Sequence, residues 1–171
     1  MYDLIIIGGG PAAIASGIYV NRKKIKTLLI TDSFGGQSFV SDNIENWIGE
    51  ISISGMELAK KLENHLKSQN QNVEILENDL VSEVLSQNNG FLVKTKNNKS
   101  FETKYVLVAS GSGRKKLNIP GEKEFEGRGV FYCSICDAPL MSEKNAVVIG
   151  GGNAGLEAAM DLIPYASQVY L

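Results

Sequence analysis

Apolar residues in this chain fall mainly in short unbroken runs. Tyr2 to Ile7 is apolar apart from Asp3, Thr27 to Thr31 carries Leu28-Leu29-Ile30, and Val73 to Leu76 is broken only by Glu74. Runs of this kind predict strands buried on both faces of a parallel sheet, where alternation is not required. Between the first two runs, residues 12–22 predict a helix, which completes a βαβ unit. Residues 54–69 predict a second helix. Ser54 and Glu57 have capping-box spacing, and Met56, Leu58, Ala59, Leu62 and Leu66 share one side. His65, the sole histidine, is expected on the surface of that helix. Residues 33–53 predict mostly loop.

The pattern then changes. Residues 81–85, 90–95 and 100–103 predict a small antiparallel meander, with Asn88-Asn89-Gly90 and Asn97-Asn98-Lys99 as turns. Tyr105 to Ala109 predicts one more buried strand. Arg114 to Arg128 has no periodicity and many turn residues, and predicts a linker. After it come a strand over 145–149, a helix over 155–162 and the start of a strand at Gln168. The expected class is α/β: a Rossmann-like domain over 1–113 (parallel sheet, helices and β-meander), a linker over 114–128, and over 129–171 the start of a second Rossmann-like domain. Two strands and one helix are too few to bury both faces of a parallel sheet. The chain is therefore expected to be part of a longer, truncated domain.

Two glycine-rich signatures sit at the strand-to-helix junctions. Gly8-x-Gly10-x-x-Ala13 follows the first strand, and Asp32 ends the second, 22 positions past Gly10. Gly8 suits a tight turn, Gly10 lets backbone approach a pyrophosphate, and Ala13 lets the helix pack close to the strand. The helix start, at Pro11 and Ala12, offers N–H donors to phosphate, and Asp32 offers an acceptor to ribose hydroxyls. Gly150-Gly151-Gly152-Asn153-Ala154-Gly155 repeats the signature. Its ribose-reading position falls beyond Leu171. In the long loop, Gly36, Gln37, Asn46 and Trp47 suit ligand contact; the competing reading makes Trp47 a core cap and Asn46 a turn residue. Ser110-Gly111 ends a parallel strand and again suits close ligand approach.

Composition narrows the classes. Net charge is −2 and lysines are dispersed, so neither a nucleic-acid footprint nor a polybasic membrane patch is expected. Apolar runs are too short to span a bilayer, and no basic region opens the chain, so a cytoplasmic protein is expected. The two cysteines, Cys133 and Cys136, have two residues between them. Such a pair has three readings: half a zinc site, inert core thiols, or a redox dithiol with Asp137 as proton partner. The chain offers few further metal ligands, and no metal is expected. Two nucleotide signatures in one chain favour the redox reading.

Together these residues resemble the low-molecular-weight thioredoxin reductases, and also the flavoprotein subunit of alkyl hydroperoxide reductase. The matching pieces are Gly8 to Ala13, Gly35-Gly-Gln37, Ile44-Glu-Asn-Trp47, Ala109-Ser-Gly111, Ile119-Pro-Gly-Glu122, Cys133-Ser-Ile-Cys-Asp137 and Gly150 to Gly155. The resemblance implies FAD on the first signature, with Asp32 at the ribose. Gly36, Gln37, Asn46, Val81, Ser110 and Gly111 would join it as cofactor-binding residues. It implies NADPH, or less often NADH, on Gly150, Gly152, Asn153 and Gly155. It implies Cys136 as the flavin-side thiol, Cys133 as the thiol that attacks a thioredoxin-like substrate, and Asp137 as general acid. It implies a homodimer for the full-length protein. Ser110 stands where the family usually has threonine, which keeps the hydroxyl, and Ala138 stands where the family usually has glycine after Cys-x-x-Cys-Asp. The Asp32-to-Gln37 spacing and Cys136-Asp-Ala-Pro-Leu lean toward the peroxiredoxin-reducing relatives. The expected absence of an N-terminal extension before Met1 leans the other way. The dithiol argues against ferredoxin-type reductases.

Overall fold

The computed structural model describes residues 1–41, 43–69, 71–113 and 115–171. Asp42, in the expected loop, and Arg114, the expected first residue of the linker, lie outside the described residues. The chain forms two compact units. One comprises Met1–Asn43 and Ile53–Gly113; the other comprises Ile44–Ser52 and Arg114–Leu171.

The first unit holds β1 (Tyr2–Ile7), α1 (Pro11–Arg22), β2 (Thr27–Ile30), a 3-10 turn (Gly36–Val40), α2 (Gly55–Ser68), β3 (Val73–Leu76), β4 (Val81–Gln87), β5 (Gly90–Thr95) and β6 (Ser100–Val108). The strands make one sheet in the order β3-β2-β1-β6-β5-β4. Parallel pairs join β3, β2, β1 and β6, and antiparallel pairs join β6, β5 and β4. The apolar runs occupy the middle of the sheet. Ile6 and Leu29 face one core with Ala13, Ile14 and Leu66 of the helices. Ile5, Leu28 and Ile30 face a second core with Val93. Each fully buried Leu or Ile contributes about 1.5–3 kcal/mol, so this alternation on both faces is what fixes the sheet. Helix α2 starts as expected, with the Ser54 hydroxyl accepting from the Glu57 N–H at 3.2 Å. His65 is exposed and hydrogen-bonds Gln69.

Two expectations about this sheet are corrected. The segments 100–103 and 105–109 are one strand, β6, because Lys104 between them offers no turn chemistry. Its first part pairs with β5 and its second with β1, and the two pairings meet at buried Thr103. The second part is not a buried strand: Tyr105 and Val108 are each 68% exposed. Side chains two apart share a face: Leu107 joins the core under α1 and α2 and Val106 the core on the other face, but neither core extends to Tyr105 or Val108.

The second unit holds α3 (Ser134–Asp137), a 3-10 turn (Ala138–Met141), β7 (Asn145–Val147), α4 (Asn153–Leu162) and β8 (Gln168–Tyr170). Strands β7 and β8 pair in parallel, and Ala138, Ala146 and Leu162 form a small core. The aperiodic segment before α3 is not extended. Successive backbone bonds fold it into turns: Glu122 to Ile119, Phe125 to Gly121, and both Arg128 and Val130 to Phe125. Among the described residues no helix is long and apolar enough to cross a membrane.

Candidate functional site: two glycine turns and a dithiol

The turn after β1 is shaped by its glycines. Gly8 has φ +126°, a region L side chains rarely adopt, and a Cβ there would lie 2.2 Å from the Ala109 carbonyl oxygen. Glycine therefore lets β1 run flush against the Ala109-Ser110-Gly111 turn. Gly10 is the N-cap of α1, at φ −78° and ψ 178°. Around it is open space: a Cβ would meet nothing nearer than the Gly36 Cα at 3.9 Å. Pro11 is the first helical residue and brings no N–H, while Ala13 is fully buried beneath the helix. A helix start with unsatisfied N–H donors and an open glycine face is a cradle for an anionic group.

Other expected residues gather at the same place. The Gly35 N–H donates to the Gly9 carbonyl at 3.0 Å, which sets the Gly35-Gly36 pair over the turn. The Gln37 amide donates to the Ser112 carbonyl, tying the loop after β2 to the turn after β6. Asp32 follows β2 and is exposed; its carbonyl accepts from Asn78 at 3.3 Å. Val81 begins β4 and packs on the second core. Asn46 is exposed on the Ile44–Ser52 segment, which belongs to the second unit, so it is not among the residues the first unit gathers.

The second signature repeats this backbone. Gly150 has φ +125°, and Gly152 is the N-cap of α4 at φ −85° and ψ 178°. Both angles match their counterparts in the first turn. A Cβ at Gly152 would meet nothing within 4 Å, whereas one at Gly155 would meet the Gly150 oxygen at 1.6 Å. The expected helix boundary is corrected here: α4 begins at Asn153, not at Gly155, because the last glycine of the triplet caps the helix.

Cys133 and Cys136 are joined in a disulfide with Cα atoms 5.3 Å apart. Cys133 is half-buried and Cys136 is exposed. The Asp137 N–H donates to the Cys133 carbonyl at 3.0 Å, closing the single turn of α3. Ala138 is helical, at φ −53° and ψ −40°, and buried in the small core. Alanine fits there because the turn needs no positive φ.

Sequence reading missed the side chains that hold this segment. The Ser134 hydroxyl donates to Asp161 Oδ2 of α4 at 2.7 Å. The Tyr132 hydroxyl donates to Glu122 Oε1 at 2.6 Å, and the same carboxylate accepts from the Leu117 and Asn118 N–H groups at 2.8 and 2.6 Å. The Tyr132 bond, followed by the backbone donors, holds the Glu122 carboxyl below the usual carboxylate range. The same bond raises Tyr132 above the usual phenol value. Lys116 lies 4.0 Å from the Tyr132 ring centroid and pairs with Glu126. Also missed was Asp79, buried beside the end of β2, whose Oδ1 accepts from the Leu80 and Asn97 N–H groups. The prior signals for these were the Ile119-Pro-Gly-Glu122 and Cys133-Ser-Ile-Cys-Asp137 motifs, which contain Glu122 and Ser134 but not their partners.

Comparison with known proteins gives a consistent family. The profile for pyridine nucleotide-disulphide oxidoreductases matches residues 2–171. An alkyl hydroperoxide reductase component of Pseudomonas putida is 39% identical over 170 residues, covering 99% of this chain and 33% of that protein. A Bacillus subtilis protein named NADH dehydrogenase is 38% identical over 168 residues, 98% of this chain and 32% of that one. Among solved structures, thioredoxin reductase from Streptococcus pyogenes superposes with a TM-score of 0.90 at 35% identity, over 99% of this chain and 54% of that chain. Thioredoxin reductase from Giardia duodenalis gives 0.90 at 29% identity with the same coverage. The chain spans about a third of the length of these curated relatives and about half of these solved chains. With the whole described sheet, both glycine turns and the dithiol inside the matched region, the chain belongs to the pyridine nucleotide-disulphide oxidoreductase family.

Proposed function

We propose that this chain is the cofactor-binding and dithiol-bearing part of an FAD- and NAD(P)H-dependent disulfide reductase, with thioredoxin or a thioredoxin-like protein as its substrate. The observation that carries the reading is the repeated turn. Along the sequence, two backbones with the same angles at Gly8/Gly10 and Gly150/Gly152 flank a formed Cys133–Cys136 disulfide. A bound flavin would take a hydride from the nicotinamide and supply the electron pair that opens the disulfide. The rest falls to the chain's own residues. Gly8, Gly10, Pro11, Ala12 and Ala13 would hold the flavin pyrophosphate and Asp32 its ribose. Gly36, Gln37, Val81, Ser110 and Gly111 would complete that site. Gly150, Gly152, Asn153 and Gly155 would hold the nicotinamide nucleotide, in its NADPH or NADH form.

Opening the disulfide takes two electrons and two protons and leaves two thiols. Cys136 would face the flavin, Asp137 would hand on the proton, and Cys133 as thiolate would attack the substrate disulfide. A cytoplasmic setting keeps such a dithiol reducible. A second reading has a peroxiredoxin-type protein as final acceptor, favoured by the 39% identity to the alkyl hydroperoxide reductase component.

The test uses the longest natural polypeptide that carries this chain. Purified, it should be yellow, bleach with NADPH or NADH, and regain colour with thioredoxin. Colour returning with a peroxiredoxin but not thioredoxin selects the second reading. Cys136→Ser should lose disulfide reduction yet keep flavin bleaching. A colourless protein with unreactive cysteines overturns both readings.

A further inference from the structure

The residues on either side of Cys133 are both tethered by side chains to carboxylates elsewhere in the second unit. Before it, Tyr132 donates to Glu122 at 2.6 Å. That carboxylate is only 5% exposed and is fixed in turn by the Leu117 and Asn118 N–H groups. After it, Ser134 donates to Asp161 at 2.7 Å, on the helix that starts at the second glycine turn. Leu162 beside Asp161 packs in one core with Ala138, so the same helix also holds the segment just past Cys136. On the other side, Ile135 is 75% exposed and Cys136 is also exposed.

We infer that Glu122 and Asp161 are positioning residues for the dithiol, acting through Tyr132 and Ser134 to hold the backbone of Cys133 still while the disulfide opens and closes. This rests on the redox reading of the pair. When the bond breaks, the sulfurs must separate from bonding distance to van der Waals distance. With the backbone of Cys133 anchored on both flanks and Ala138 packed in the core, that movement falls to the side chains. Anchoring also keeps the two thiols at high effective concentration in the reduced state, which favours closure of the bond. Losing the anchors should make the disulfide easier to reduce.

The experiment measures the Cys133–Cys136 equilibrium in the full-length flavin-loaded protein against a dithiothreitol or glutathione redox buffer, by mass-spectrometric counting of alkylated thiols. Tyr132→Phe and Ser134→Ala each remove one hydroxyl and no backbone contact. Each should weaken disulfide formation by about threefold to tenfold, an upward shift of about 14 to 30 mV in potential. The double variant should shift further, while bleaching of the flavin by NADPH or NADH keeps its wild-type rate. Asp161→Asn keeps an acceptor for Ser134 and should stay near wild type, whereas Asp161→Ala should behave like Ser134→Ala. A double variant that stays folded and flavin-loaded with an unshifted equilibrium overturns the inference. So does an equal shift in Asp161→Asn and Asp161→Ala. Redox buffering needs no nicotinamide and no protein substrate. A failure of the proposed function would therefore show as absent NADPH- or NADH-driven turnover, separately from this equilibrium.

Discussion

Gly8 and Gly10 belong to one turn, yet the structure gives them different burdens, and alanine at each separates folding from binding. At Gly8 an added Cβ meets the Ala109 carbonyl oxygen at 2.2 Å and carbon at 2.8 Å, at φ +126°. Relief requires β1 and β6 to part by about an ångström, the shortfall against an ordinary contact. That stretches the Ala109 N–H to Ile7 bond, now 2.9 Å. Strained backbone costs about 1–3 kcal/mol, overpacking about 1–3, and the hydrogen bond about 0.5–1.5, so Gly8→Ala should lose about 3–7 kcal/mol. A domain has about 5–15 kcal/mol in all, so this loss is a large share of the total and the variant should be strongly destabilised. At Gly10 the same methyl has φ −78° and its nearest neighbour at 3.9 Å. Reduced freedom of the unfolded chain stabilises by about 0.4–1 kcal/mol, while alanine at an N-cap costs about the same. Gly10→Ala should therefore leave the protein without ligand within about 1 kcal/mol of wild type. The methyl would stand where a pyrophosphate must approach the backbone, so flavin affinity should fall at least about a hundredfold, or about 2.7 kcal/mol. Urea unfolding followed by circular dichroism gives the first quantity, and flavin fluorescence titration the second. If Gly10→Ala binds flavin like wild type, or loses stability as Gly8→Ala does, the cradle reading of this turn is wrong.

The second turn should repeat the result. Gly152→Ala, with no neighbour within 4 Å, should fold normally and lose nicotinamide-nucleotide binding, checked by calorimetric titration. Leu66 is fully buried between α2 and α1, and its Cδ1 lies 2.8 Å from where a Gly17 Cβ would stand. Leu66→Ala should cost about 2–5 kcal/mol in urea unfolding; adding Gly17→Ala to it should recover part of that, although Gly17→Ala alone clashes. The Glu122 carboxyl is held below its usual range chiefly by the Tyr132 hydroxyl. The stability this bond supplies is complete above the ordinary carboxylate range and is lost as pH falls through the lower folded value. Between about pH 5 and pH 3, melting temperature should fall more steeply in wild type than in Glu122→Gln. Parallel slopes would remove Glu122 from the acid response.

Much of this architecture could be read along the chain because it repeats along the chain. Three apolar runs gave three parallel strands, and the βαβ spacing from Gly8 to Asp32 fixed the first turn. What failed was local continuity: nothing between Thr103 and Tyr105 marks a break, and β6 runs through both the meander and the parallel sheet. Burial of Tyr105 and Val108 does not follow from their apolar character, because that does not say how far along a strand the core on each face extends. The anchors of the dithiol were illegible for a deeper reason. Ser134 and Asp161 are 27 residues apart, and Tyr132 and Glu122 are 10 apart. Their partnership follows from how α3 and the folded turns before it pack, and no period in the sequence encodes that. Ala138 shows the same from the other side. In the sequence it stands out only as a departure from the family's glycine; in the structure it is a small residue filling the core between Ala146 and Leu162. A residue that departs from a motif therefore carries information about packing before it carries information about chemistry. At this dithiol, that packing ties Ser134 and Ala138, one on each side of Cys136, to the same helix.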